Sequence, residues 1–307
     1  MEPRKLQKTG GTTYVVSLPK KWVLKHGFDQ GSVVSVREQK DGTVLIAPES
    51  GTKAAPKKAT ISADNNLDRK LIEKYLLGYD ILTIHSEGNL SDEQKSKIKK
   101  NLQVLVGFEI VEESANSITV QFLLDPSEVS ITKSLRRMYT IVSVMHRDLI
   151  DALKTAGKSV LKDIIQREAE VNRLYFLVVR QIRTVIQNPQ LTESEGINAV
   201  DCVDYRLVAK IVEQIGDSLR RISEDMLSLP LTELKSLQPL FEQSYEIHQL
   251  AFKALLKKDD SLATEAQNLR KSIPAASVKN KHKQKLLNEM LHIADLSKDL
   301  SNIVVSE

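Results

Sequence analysis

A single cysteine, Cys202, in 307 residues leaves no intramolecular disulfide to form, so the fold cannot depend on an oxidising compartment. Long apolar runs are missing as well: no stretch approaches the roughly 20 residues of a membrane helix. The opening Met-Glu-Pro-Arg-Lys lacks the apolar core of a secretory signal, and a cytoplasmic location is expected. Aromatics are scarce, at 5% of the chain with one tryptophan. Glycine is unevenly withheld: nine of the 12 precede Pro126, and only Gly157, Gly196 and Gly216 follow it. Low glycine with sustained Leu/Ile/Val spacing predicts long helices packed as a bundle.

The net charge of +4 hides an asymmetry. Residues 1–60 hold 11 Lys/Arg and 5 Asp/Glu, a balance of +6, which leaves −2 for the remaining 247 residues. A basic module on a near-neutral body is the pattern expected when one end meets a polyanion.

That basic end has its own local pattern. Gly10-Gly11 forms a turn ahead of Thr12-Thr13-Tyr14-Val15-Val16-Ser17-Leu18, a β-branched strand that stops at Pro19. A short basic helix follows to Gly27, and Gly31 opens a second strand through Val33, Val34 and Val36. So small a strand–helix–strand block cannot bury a core alone, and half of an intertwined dimer is expected. Arg4, Lys5, Lys8, Lys20, Lys21 and Lys25 are the cations available for phosphates, and Thr9, Thr12 and Thr13 can donate hydroxyl hydrogen bonds to them. Trp22 is expected in the dimer core. From Lys5 to Pro48 the block resembles the AbrB/SpoVT swapped-hairpin family. The resemblance implies an interlaced homodimer that binds DNA as a transcription regulator or antitoxin. Well-known members carry arginines before the proline and in the following helix; here Tyr14 or Val15, then Val23 and Leu24, stand there, with lysines at Lys20, Lys21 and Lys25.

Residues 51–58 read as a linker and 59–126 as a small α/β domain. Asn65 or Asn66 is a candidate cap for a helix through Leu71 and Leu76, and Ser91 for one through Ile98 and Leu102. Tyr79–Ile84 and Ser117–Leu124 are strand-like. Residues 127–307 then read as six helices, at about 127–156, 158–188, 193–228, 233–257, 259–273 and 279–305, grouped as two three-helix units. The fold class is therefore multidomain: a swapped-hairpin β head at 1–50, a small α/β middle domain, and an all-α body.

The body carries three oxygen-bearing pairs at i, i+4 spacing: Glu168 with Asn172, Glu213 with Asp217, and Asp295 with Asp299. Each pair shares one helix face, and two such faces together can offer oxygen ligands to a cation. Val208–Asp225 resembles the signature third helix of the PhoU family, Glu168–Phe176 the matching second-helix segment, and His292–Asp299 the corresponding helix of a second repeat. The resemblance covers 127–307. It implies two three-helix bundles, regulation of phosphate uptake, and metal on Glu168, Asn172, Glu213, Asp217, Asp295 and Asp299, with Fe, Zn, Mg or Mn not distinguished. Asn172 stands where the family motif has Asp. Gly216, inside a strong helix, is expected at a close helix–helix approach.

No nucleophile set converges. Cys202 lies beside Asp201 and Asp204, which disfavours a thiolate. The six histidines show no zinc spacing, and His146 and His248 are expected at the edge of the core. The run Lys279–Lys285 is expected to be a solvated helix start. The order of the two resemblances is similar to archaeal phosphate-uptake regulators. The leading expectation is a transcription regulator of phosphate uptake, with DNA and a homodimer partner bound by the head. The alternatives are a metal-binding accessory protein acting on a phosphate transporter or sensor, with the head only dimerising, and an antitoxin-like regulator. An enzyme is not expected.

Overall fold

The computed structural model describes residues 3–38, 42–48, 56–125, 130–155, 157–188, 196–273 and 279–303. It divides into two units, Met1–Ala55 and Pro56–Glu307.

The described residues of the first unit form two hairpins and one short helix. Strands β1 (Gln7–Thr9) and β2 (Thr13–Val15) pair antiparallel, with Lys8 opposite Tyr14. Gly10 takes φ +65 in the connecting turn, a conformation that disfavours any side chain. Helix α1 (Lys20–Lys25) follows Pro19 directly; proline fixes its own φ there, and a helix can start behind it. Strands β3 (Val34–Glu38) and β4 (Val44–Pro48) form the second hairpin. The sequence pattern names one strand on each side of the helix and misses β1 and β4. β1 is three residues of mixed polarity, too short for alternation to register.

The second unit begins with a four-stranded sheet in the order β5-β6-β8-β7: β5 (Lys58–Ser62), β6 (Ile81–His85), β7 (Phe108–Glu113) and β8 (Ser117–Phe122). β5 and β6 are parallel and joined by α2 (Leu67–Leu76); β6–β8 and β7–β8 are antiparallel. Lys58, expected in the linker, starts β5, while residues 49–55 lie outside the described residues. Ser91 caps α3 (Asp92–Leu102) through a capping box with Gln94. Asn66 precedes α2 but its side chain makes no cap; Asp64 accepts from the Asn66 N–H instead, at 2.9 Å. Leu71, Tyr75, Leu82, Ile84, Ile98, Ile118 and Val120 form the module's core.

Among the described residues six α-helices follow, close to the positions read from the sequence: α4 (Ile131–Thr155), α5 (Lys158–Gln187), α6 (Ala199–Leu227), α7 (Gln238–Lys257), α8 (Asp260–Ser272) and α9 (Lys281–Ser301). The expected ends at 127, 193 and 305 lie outside the described residues. Leu231–Leu237, which overlaps the expected start of the fourth helix, is a 3-10 segment. Pro239 explains the break: it lacks an N–H and clashes with a preceding turn, so it sits in the first turn of a new helix. Helices α4, α5 and α6 pack as one trio and α7, α8 and α9 as another, and α4–α7 and α6–α9 join the trios. One continuous aliphatic core runs through both. Gly216 of α6 lies where a Cβ would come within 3.4 Å of Val142 on α4 and Val171 on α5, the close approach expected of it.

The α/β module is docked on α5 by Arg180. This residue is 3% exposed. Its Nη1 donates to the carbonyls of Tyr75 at 2.9 Å and Tyr79 at 2.7 Å, and its Nη2 to Asp80 Oδ1 at 3.2 Å. Its guanidinium carbon lies 3.8 Å from the Phe122 ring centroid. A buried arginine that saturates two carbonyls and a carboxylate while lying over an aromatic ring is well compensated.

Candidate functional site

The head carries the first candidate surface. Among the described residues 3–38 and 42–48, no side chain is buried. Leu6, Tyr14, Val15, Val16, Leu24, Val33, Val36 and Val44 are all large, apolar and exposed, with Val36 at 63% and Leu24 at 66%. Trp22, His26 and Phe28 meet ring to ring at 5.0 to 5.8 Å, which gives the unit one small aromatic cluster in place of an interior. Lys5, Lys8, Lys20, Lys21 and Lys25 are exposed and make no ion pair among the described residues. Thr12 and Thr13 lie in and after the turn of the first hairpin, and Arg4 just precedes it. Lys21 and Lys25, at i, i+4, share one face of α1. Of the expected DNA-facing cations, Lys8 thus falls on the β1–β2 hairpin and Lys20, Lys21 and Lys25 on α1, while Arg4 and Lys5 lie ahead of β1.

The second candidate is an acidic seam in the body. Glu168 of α5 faces Glu213, Asp217 and Glu224 of α6. Burial, and then the Asp217 charge, push the Glu168 carboxyl above its ordinary range. Arg220 enters this group: its Nη1 donates to Glu224 at 2.7 Å and its Nη2 to Asp217 at 3.4 Å, and its Nε lies 3.8 Å from Glu168. Arg221 takes the other Asp217 oxygen at 3.1 Å, donates to Ser218 at 2.8 Å and reaches Glu289 of α9 at 3.1 Å. Lys210 holds Glu213 at 2.6 Å. Asn172 is half-buried one turn beyond Glu168.

The third expected pair lies apart from this seam in its partners. Asp295 of α9 makes a two-point ion pair with Arg270 of α8, at 2.7 and 3.0 Å. Asp299 is exposed near the end of the same helix. Among the described residues, no group of three or more His, Cys, Asp or Glu side chains is arranged to hold a metal ion. Glu168 lies near Glu213 and Asp217, whose oxygens carry lysine and arginine nitrogens, with Arg220 Nε 3.8 Å from Glu168. The donor set in this arrangement does not fit an oxygen-ligated metal. The signal was visible: Arg220 and Arg221 follow Asp217 at i+3 and i+4, where they must share its face.

One other expectation is corrected. His146 of α4 and His248 of α7 are fully buried rather than at the core edge, with their Nδ1 atoms 3.4 Å apart. Tyr245 and Tyr139 pack edge-on to them at 5.2 Å. Cys202 is buried despite its polar neighbours in sequence, and burial followed by the Asp201 charge raises its thiol. The Lys279–Lys285 run is exposed or half-buried at the start of α9, with Lys285 paired to Asp225 at 2.7 Å. No helix among the described residues is long and apolar enough to cross a membrane.

A hairpin-rich basic head and a paired three-helix body define a two-part architecture. Comparison with family models gives both parts the same reading. Residues 135–226 match the PhoU domain, and residues 7–54 match the family described as antidote-toxin recognition MazE, bacterial antitoxin. The chain therefore joins an N-terminal MazE/AbrB-type domain to a PhoU domain. Neither the curated proteins nor the solved structures give a match.

Proposed function

We propose that the chain is a DNA-binding transcriptional regulator of phosphate uptake. Its head dimerises and grips DNA, and its PhoU-type body responds to phosphate or to a component of the transport machinery. The observation that carries this reading is made on the described residues of the head: none of its side chains is buried, and its exposed lysines pair with no carboxylate there. Eight large apolar side chains left in water are unstable as a free surface. A second copy of the same hairpins supplies their cover. Lysines that find no carboxylate within the unit remain for a polyanion.

Lysine favours phosphate contact over base reading, because it lacks the planar fork of arginine. This observation also supports a second reading, in which the head only dimerises and the body acts on a transporter or sensor. Fluorescence anisotropy of the full chain on its own promoter duplex and on a scrambled duplex, at low and high salt, separates them. Promoter-selective binding supports the regulator. Binding that is absent or equal on both duplexes supports the accessory role.

A further inference from the structure

We propose that Arg220 and Arg221 stand in for the cation on the acidic seam, so that internal guanidinium–carboxylate pairs close it and it takes no divalent metal. The two arginines lie on α6 about one turn after Asp217. Arg220 spans α5 and α6 by contacting Glu168, Asp217 and Glu224. Arg221 spans α6 and α9 by contacting Asp217 and Glu289. Three helices are thus tied through two side chains, the work a shared ion would otherwise do.

The chemistry favours arginine here. A guanidinium is charged at every accessible pH, and its five N–H donors suit several carboxylate oxygens at once. A hard divalent ion held by oxygen takes about six or more ligands, with Mg²⁺ demanding a near-octahedral set. Both Asp217 oxygens are already occupied, one by each arginine. Any ion entering would have to displace these donors and then sit beside their positive charge. Asn172, which offers a neutral carbonyl where the family motif has a carboxylate, lowers the seam's negative charge further.

The test uses the full chain, stripped with chelator and dialysed separately against Mn²⁺ and Zn²⁺. For the wild type we expect no metal uptake that D217N abolishes, and a melting temperature unaffected by EDTA. In R220Q/R221Q the carboxylates are released, and affinity for Mn²⁺ should rise about tenfold or more, then fall again when D217N is added. Circular dichroism confirms that the variant is folded; if the double variant does not fold, R220Q alone replaces it. Stoichiometric binding to the wild type that D217N abolishes would overturn the proposal. So would a folded arginine variant that binds metal no better than the wild type.

Discussion

His146 and His248 face each other Nδ1 to Nδ1 at 3.4 Å, each fully buried, where α4 of one helical trio meets α7 of the other. A hydrogen bond between the two rings needs one Nδ1 to carry a proton and the other to be free of it. Neither Nε2 atom has a hydrogen-bond partner among the described residues. Burial holds His248 down to about 4, and burial followed by the His248 charge holds His146 well below its ordinary value.

A pH dependence follows. The unfolded chain binds protons at these histidines below about pH 6.5 while the folded chain does not. Stability is therefore complete above that value and is lost as pH falls toward 4, at about 1.4 kcal/mol per pH unit for each histidine. Urea midpoints measured at pH 7.5 and 5.0 should show the loss. Replacing both rings in H146F/H248F should flatten it; an unchanged pH dependence would place the effect elsewhere.

Truncation of the Arg180 side chain should loosen the α/β module from the helices. R180A leaves the carbonyls of Tyr75 and Tyr79 without this donor and Asp80 without its guanidinium partner, a change that costs about 1–3 kcal/mol for each buried polar group left unpaired. The expected readout is a lower urea midpoint together with new proteolytic cleavage between residues 56 and 125. R180K keeps the charge but not the fork, and should recover only part of the stability.

Gly216 tests the packing of the first trio. G216A gains about 1 kcal/mol of helix propensity against a Cβ set at 3.4 Å from two valines. Its thermal midpoint should stay close to that of the wild type. G216L overfills the same space and should cost about 1–3 kcal/mol.

The head is open to two substitutions in the full chain. V36D places a charge on an exposed apolar strand position, and if a second copy covers it the burial cost is several kcal/mol. Light scattering should then report monomer where the wild type is dimer. K20Q/K21Q/K25Q should leave the dimer intact and lower the salt slope of DNA binding by about one unit for each phosphate those lysines neutralise. An unchanged slope would exclude α1 from the DNA interface.

Much of the body was legible in the sequence, because a 3.6-residue period sustained over 20 to 30 residues has few competing readings. Gly157, Pro230 and the Lys258-Asp259 step mark breaks that the structure keeps, and Lys258 adopts φ 51 at the end of α7. The head and the α/β module were less legible. β1, β5 and β7 are edge elements whose exposed polar residues blur alternation, and β7 carries a register shift between Ile110 and Glu112. The acidic residues were found, but not their condition. A carboxylate pattern gives the face, and only the folded neighbours show what occupies it. Arg180 after Leu177-Val178-Val179 was the clearest overlooked sign: a charge beside a buried aliphatic run calls for a partner from another element.

Helix α5 carries Glu168 at one point and Arg180 twelve residues on, about 18 Å along its axis. The first belongs to the seam with α6, the second to the dock of the α/β module. One uninterrupted rod joins them. A twist or slide of α5 forced by rearranged charge at the seam would arrive at Arg180 as displacement of the Tyr75 and Tyr79 carbonyls, and so of the sheet behind them. The α/β module would then act as the pointer on a mechanical gauge, with the helix as its shaft.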